Sequence, residues 1–197
     1  MTVRISFVAL IVSCLLSCGK YTQESLAINN SIQTCGLVVR LSDRTEQAEK
    51  FRANGQTSKA DFLIKKDREN NETAISDFSE HCSSIPVFFI YKKDTDRLLA
   101  GDRKNLFLKD DFSTYADDIL GCNDFYFVDY GVIDLENEIE RPNDWIVKDK
   151  ELKALERPFP WRVNYPMDCI GRGKKTEAQC LCYKIERYIE KGDSKLE

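Results

Sequence analysis

Two stretches of the chain repeat apolar residues at helical spacing. Phe112, Tyr115, Ala116, Ile119 and Leu120 fall at i, i+3, i+4, i+7 and i+8, with acids before them, Ser113 nearby and Gly121 directly after. This predicts a short helix buried on one face. Ala178, Leu181, Cys182, Ile185, Tyr188 and Ile189 keep the same period. Thr176, with Gln179 three residues on, opens that helix as a capping box, and Gly192 closes it. Residues 72 to 82 predict a third helix through Ala74, Ile75, Phe78 and Cys82, whereas residues 43 to 66 are mixed and Asn54-Gly55 interrupts any long helix there.

Strands are expected where β-branched and aromatic residues concentrate between turn formers: Gly36 to Leu41, Ile85 to Tyr91 and Asp124 to Leu135. Lys92 to Asp96 separates the second of these from Leu98-Leu99-Ala100, a pattern that reads as a hairpin. Helices among hairpin-like strands, with no regular βαβ alternation, predict an α+β domain whose antiparallel sheet is covered by helices. Residues 20 to 34 lack a period and are rich in Ser, Thr, Asn and Gln, so residues 18 to 34 read as a flexible tether before a single domain over 35–197.

The N-terminus carries a different pattern. Arg4 precedes an apolar run from Ile5 to Leu16, and Ser17, Cys18, Gly19 and Lys20 return the chain to small and polar residues. This is the layout of an export signal over residues 1 to 17, too short for the roughly 20 residues of a spanning helix. Leu15-Leu16-Ser17-Cys18 resembles the lipobox of bacterial lipoproteins. The resemblance implies cleavage before Cys18, acylation of its thiol, and a membrane partner reached through the lipid. Ile11-Val12-Ser13-Cys14 fits the same pattern, and ordinary cleavage after Gly19 would give a soluble secreted protein.

Cysteine parity bears on the site. Processing at Cys18 removes Cys14, lipidates Cys18 and leaves six thiols, Cys35, Cys82, Cys122, Cys169, Cys180 and Cys182, whereas modification at Cys14 leaves seven. An odd thiol is a liability in an oxidising compartment, so Cys18 is the expected lipidation site and the six are expected to form disulfides. Residues two apart on a helix point about 200° away from each other, which sends Cys180 and Cys182 to different partners. Cys182 lies in the apolar stripe and should bond into the core, and Cys169 is the nearest candidate for Cys180. The zinc alternative, from Cys122, Cys169, Cys180 and Cys182, lacks paired C-x-x-C spacing, and no metal is expected.

Composition narrows the functional classes. The chain has 197 residues, 42% hydrophobic and 31% charged, enough for one core and too polar for a polytopic membrane protein. Lys and Arg total 29 against 33 Asp and Glu, without the basic surplus of a general nucleic-acid binder. His81 is the only histidine, and its neighbour Cys82 diverges from it by about 100° on a helix, so the two make no nucleophile-base pair by adjacency. No cofactor motif is present, since Gly171-Arg172-Gly173-Lys174-Lys175-Thr176 departs from a P-loop at both ends. Residues 110 to 140 hold ten acids and no Lys or Arg, which reads as a solvated face, with calcium the sharper alternative. Asn29-Asn30-Ser31 and Asn71-Glu72-Thr73 match the glycosylation sequon.

Four of the five prolines lie between residues 142 and 166, together with Trp145, Phe159, Trp161, Tyr165, Arg157 and Arg162. Stiff backbone with aromatic and Arg side chains suits a binding surface for a protein partner, centred on Trp145, Phe159, Trp161, Arg162 and Tyr165. The expectation is therefore an exported, lipid-anchored envelope protein with a binding or structural role and no catalytic residue. The alternatives are a secreted hydrolase using carboxylates such as Asp124, Asp129 or Asp134, and an inhibitor presenting the loop between Cys169 and Cys180.

Overall fold

The computed structural model describes residues 23–133, 141–155, 159 and 176–193. Along the chain run α1 (Gln23–Cys35), β1 (Leu37–Leu41), α2 (Thr45–Ala53), α3 (Thr57–His81), β2 (Val87–Tyr91), α4 (Thr95–Leu99), β3 (Tyr126–Ile133), β4 (Arg141–Lys148) and α5 (Glu177–Asp193). They form a single α+β domain around one four-stranded sheet of order β2-β1-β3-β4.

The sheet is mixed, so the antiparallel expectation holds only in part. β1 is parallel to β2, from Leu37 opposite Val87 to Leu41 opposite Tyr91, and parallel to β3. Only β3 and β4 are antiparallel, with Val128 opposite Val147 and Tyr130 opposite Trp145. The reason lies in β1. Leu37, Val38, Val39 and Leu41 are all buried, the near-continuous apolar run of a strand covered on both faces.

Alternate residues of the sheet feed two cores. Leu37, Val39, Phe89, Val128 and Val147 pack under Ile32 of α1, Ile75 and Phe78 of α3, and Leu181 and Ile185 of α5. Val38, Ile90 and Phe127 pack on the other face against Leu98, Leu106, Phe107, Leu120 and Phe125. The C-terminal helix thus forms as its period predicts, and the Gln179 backbone N–H donates to Thr176 Oγ1 at 3.1 Å as its cap.

Four expectations are corrected. The stretch read as a tether is helical from Gln23, with Ser25, Asn29 and Ile32 buried at i, i+4 and i+7, a stripe whose polar members hid it. Residues 112 to 120 are not a helix. Asp111 accepts from the Ser113 backbone at 2.9 Å and Asp118 from that of Leu120 at 3.0 Å, and Thr114 bridges to Leu108. Short acidic side chains that bond the local backbone compete with helix, and Tyr115 is left exposed.

The expected hairpin after β2 is a 3-10 turn, Lys92–Asp94, running into α4, with the Thr95 hydroxyl donating to the Lys92 carbonyl at 2.8 Å. Finally, the start of the proline-rich stretch is strand β4, an edge of the sheet in which Ile146 and Val147 are buried. Pro142 near its beginning is compatible with an edge strand. The mixed stretch over 43 to 66 resolves as predicted around Asn54-Gly55: α2 ends at Ala53, Gly55 has φ of 71°, and α3 follows.

Candidate functional site

A cleft of about 580 Å³ opens where β1 ends, lined by Arg40, Leu41 and Ser42, by Tyr130 of β3 and Trp145 of β4, by one side of α3 and by the first residues of α5. In open sheets with parallel strands, ligands sit beyond the carboxyl ends of the strands, and this cleft has that position. Its volume is within the roughly 300–1,000 Å³ of small-molecule sites.

The sequence builds each wall. On α3, Lys66, Asn70, Thr73 and Asp77 recur at i, i+4, i+7 and i+11 and line the cleft, while Ala74, Ile75 and Phe78 turn into the core. Two buried polar residues of the same helix hold the chain that leaves β1. The Asn71 amide donates to the Ser42 carbonyl at 2.8 Å and accepts from the Ser42 backbone at 3.2 Å. Asp67 accepts from the Arg44 backbone at 3.0 Å and from its Nε at 2.7 Å. Buried polar groups satisfied in this way fix the floor of the cleft relative to its wall.

The opposite wall is aromatic. Trp145 meets the edge of Phe78 at 4.9 Å between ring centroids and lies 5.1 Å from Tyr130. Tyr130 is 41% exposed, so the pair presents ring surface to solvent at the cleft. Among the charged groups, burial raises the Asp77 carboxyl above its ordinary value against a hydrogen bond from Thr176 and the charge of His81. Burial likewise raises Glu177, with the nearby charge of Asp144 adding to it, and the Tyr130 phenol is raised by burial and by Glu177 and Asp144.

On the other face of the sheet stands a charge cluster. Asp129 of β3 pairs with Arg40 at 3.2 Å, Lys92 at 3.0 Å and Lys148 at 3.0 Å, one cation from each of β1 and β4 and one just past β2. Burial opposes ionisation of Asp129, but Lys92, Arg40 and Lys148 outweigh it and hold the carboxyl below its ordinary range.

The residues singled out from the sequence fall as follows. Trp145 lines the cleft. Phe159 is 2% exposed and packs edge-on against Tyr188 at 5.4 Å. Trp161, Arg162 and Tyr165 lie outside the described residues, as do Cys18, Cys169 and Asp134. Asp124 is exposed and pairs with Lys150 at 3.3 Å. Neither Asp124 nor Asp129 lines the cleft. Asn29 and Asn71 are buried, and the second sequon supplies a structural amide.

Four of the cysteines pair as Cys35–Cys122 and Cys82–Cys182, with Cα separations of 5.8 and 5.0 Å, and Cys180 is also disulfide-bonded. Cys182 therefore bonds into the core as its helical phase requires, to a different element. Disulfide bonding of Cys122, Cys180 and Cys182 removes the thiolates of the zinc alternative. Among the described residues, no group of three or more His, Cys, Asp or Glu could hold a metal ion, and no helix is long and apolar enough to cross a membrane.

Sequence reasoning missed Asn70, Asp77, Thr176 as a wall residue, Glu177 and Tyr130. Thr73 and Asp77 fall on the helix predicted over 72 to 82, but Lys66 and Asn70 lie on its extension back to Thr57, and no periodic apolar signal marks that start. No family model, curated protein or solved structure matches the chain.

Proposed function

We propose that the protein is an exported, lipid-anchored envelope protein that binds a polar small molecule in the cleft between α3, α5 and the ends of β1 and β3. The observation that carries the reading is the composition of that cleft: two adjacent aromatic rings, Tyr130 and Trp145, face hydrogen-bonding side chains from α3 and α5 at the carboxyl end of parallel strands. The disulfides support an oxidising compartment, in keeping with the export signal. The lipobox-like Leu15-Leu16-Ser17-Cys18 supports anchoring. Stable anchoring takes two acyl chains or a second signal, and diacylation of Cys18 supplies it.

Chemical-shift mapping of a fragment library on the mature protein tests the cleft. Binding fragments are expected to move Ser42, Asn70, Ala178 and the Trp145 indole together. A library whose hits all map elsewhere contradicts the reading.

A further inference from the structure

We propose that the ligand of this cleft is a saccharide, recognised by stacking on the Tyr130–Trp145 pair and by hydrogen bonds from Asn70, Thr73, Asp77 and Glu177. The inference rests on the reading that the cleft is a binding site and specifies the chemistry it accepts.

Three ligand classes fit the walls less well. An anion meets two cations among the described lining residues, of which only Lys66 is open to it. Lys66 leans toward Glu69 at 4.0 Å and Arg40 is held by Asp129 at 3.2 Å, while Asp77 and Glu177 repel negative charge. A wholly apolar ligand would bury the Asn70 amide, the Thr73 hydroxyl and two carboxyls without replacing their hydrogen bonds to water, which is unfavourable for each. A small cation would use the two carboxylates and the rings but would leave the Asn70 amide and the Thr73 hydroxyl without partners on the ligand, and Thr176 already donates to Asp77.

A saccharide uses the whole set. Its C–H faces are apolar and flat enough to lie on an aromatic ring, and its hydroxyls both donate and accept. An Asn side chain offers two donors and a carbonyl, Thr a hydroxyl, and a carboxyl accepts from adjacent hydroxyls, or donates as well when protonated. Asn70, Thr73 and Asp77 stand about one turn, roughly 5.4 Å, apart along α3, a spacing suited to hydroxyls on successive units of an oligosaccharide. The rings are pre-positioned, because Trp145 is set by the sheet register opposite Tyr130 and by the edge of Phe78 beneath it. Rigid aromatic surface of this kind binds with little ordering cost.

The test is titration of the 15N-labelled mature protein with maltotriose and with the N-acetylglucosamine trisaccharide, and separately with tetramethylammonium chloride and inorganic phosphate. At least one trisaccharide is expected to shift the Trp145 indole saturably, assigned with a Trp161→Phe variant. Asn70→Ala, an exposed helix position, should weaken that binding about tenfold with an unchanged melting temperature, the equivalent of one hydrogen bond. Asp77→Asn provides a second variant on the same wall. Perturbation of the cleft by tetramethylammonium or phosphate and by neither trisaccharide overturns the saccharide class and leaves the binding site standing. Silence of the cleft toward all four probes overturns both, and trisaccharide shifts confined to other surfaces overturn the saccharide assignment.

Discussion

Cys82, which follows the last turn of α3, is bonded to Cys182 on the buried side of α5, across 100 residues of chain. The bond joins two helices that wall the cleft. In the chain-entropy model a closed loop of about 100 residues is worth about 4.7 kcal/mol, and removal of a native disulfide typically costs 2–5 kcal/mol. The double variant Cys82→Ala, Cys182→Ala is therefore expected to lose about 3–5 kcal/mol in denaturant titration. Both sulfurs are buried, whereas Cys122 of the second bond is only half-buried. Timed reduction and alkylation should label Cys35 and Cys122 before Cys82 and Cys182, and the reverse order would contradict these burials.

Asp129 balances three cations, and its loss should be costly. Breaking a buried pair by removing one partner is worth about 3–5 kcal/mol, because the remaining charges stay buried without compensation. Asp129→Asn is expected at the lower end, since Lys92 and Lys148 reach solvent in part. The pH dependence has a definite sign. A carboxyl whose folded pKa lies below its ordinary 3.8 stabilises fully above that value, and the contribution fades as pH falls through the lower folded value. Asp77 and Glu177 act oppositely: their raised pKa values mean that folding is penalised above them and relieved as acid protonates the pair. Thermal melts between pH 7 and 2 should show Asp129→Asn flattening the acid limb and Asp77→Asn stabilising the protein at neutral pH.

Gly36 closes α1 at φ of 80° and hands the chain to β1. An added Cβ would overlap the Pro86 carbonyl, which accepts from the Leu37 backbone. Gly55 has a similar φ of 71° with nothing within 4 Å of its Cβ position. Gly55→Ala should cost about 1 kcal/mol from the backbone angle alone, and Gly36→Ala clearly more. Equal losses in chemical denaturation would refute the close approach at Pro86.

Anchoring makes its own prediction. The membrane-extracted protein should begin at Cys18 and carry at least two acyl chains in its intact mass, and Cys18→Ala should release it. A soluble form beginning with unmodified Lys20 would rule the anchor out.

The parts of the fold that declare themselves locally were legible. α5 has an apolar stripe and a Thr cap, although Gly192, expected to close it, lies inside the helix, which runs to Asp193, and β1 to β3 are marked by β-branched and aromatic runs. The phase of Cys180 against Cys182 gave the inward bond of Cys182 without giving Cys82 as its partner. What escaped depends on partners distant in sequence. β4 opens with Arg, Pro, Asn and Asp, poor strand formers that pair because β3 offers an edge. Asp67 and Asn71 read as surface polar residues until the chain after β1 folds onto them. The reverse error is the segment from Phe112, where a helical apolar period is overruled by Asp111 and Asp118 bonding their own backbone.

The binding role is most directly tested by native mass spectrometry of the protein purified from the cells that make it under non-denaturing conditions, alongside a Thr73→Trp variant. Thr73 is exposed on the cleft wall, so an indole there fills the cleft without entering the core. The expected result is a small-molecule adduct on the unaltered protein that the variant lacks, with the same melting temperature for both. An adduct carried equally by both, or none on either, would contradict a ligand-binding cleft.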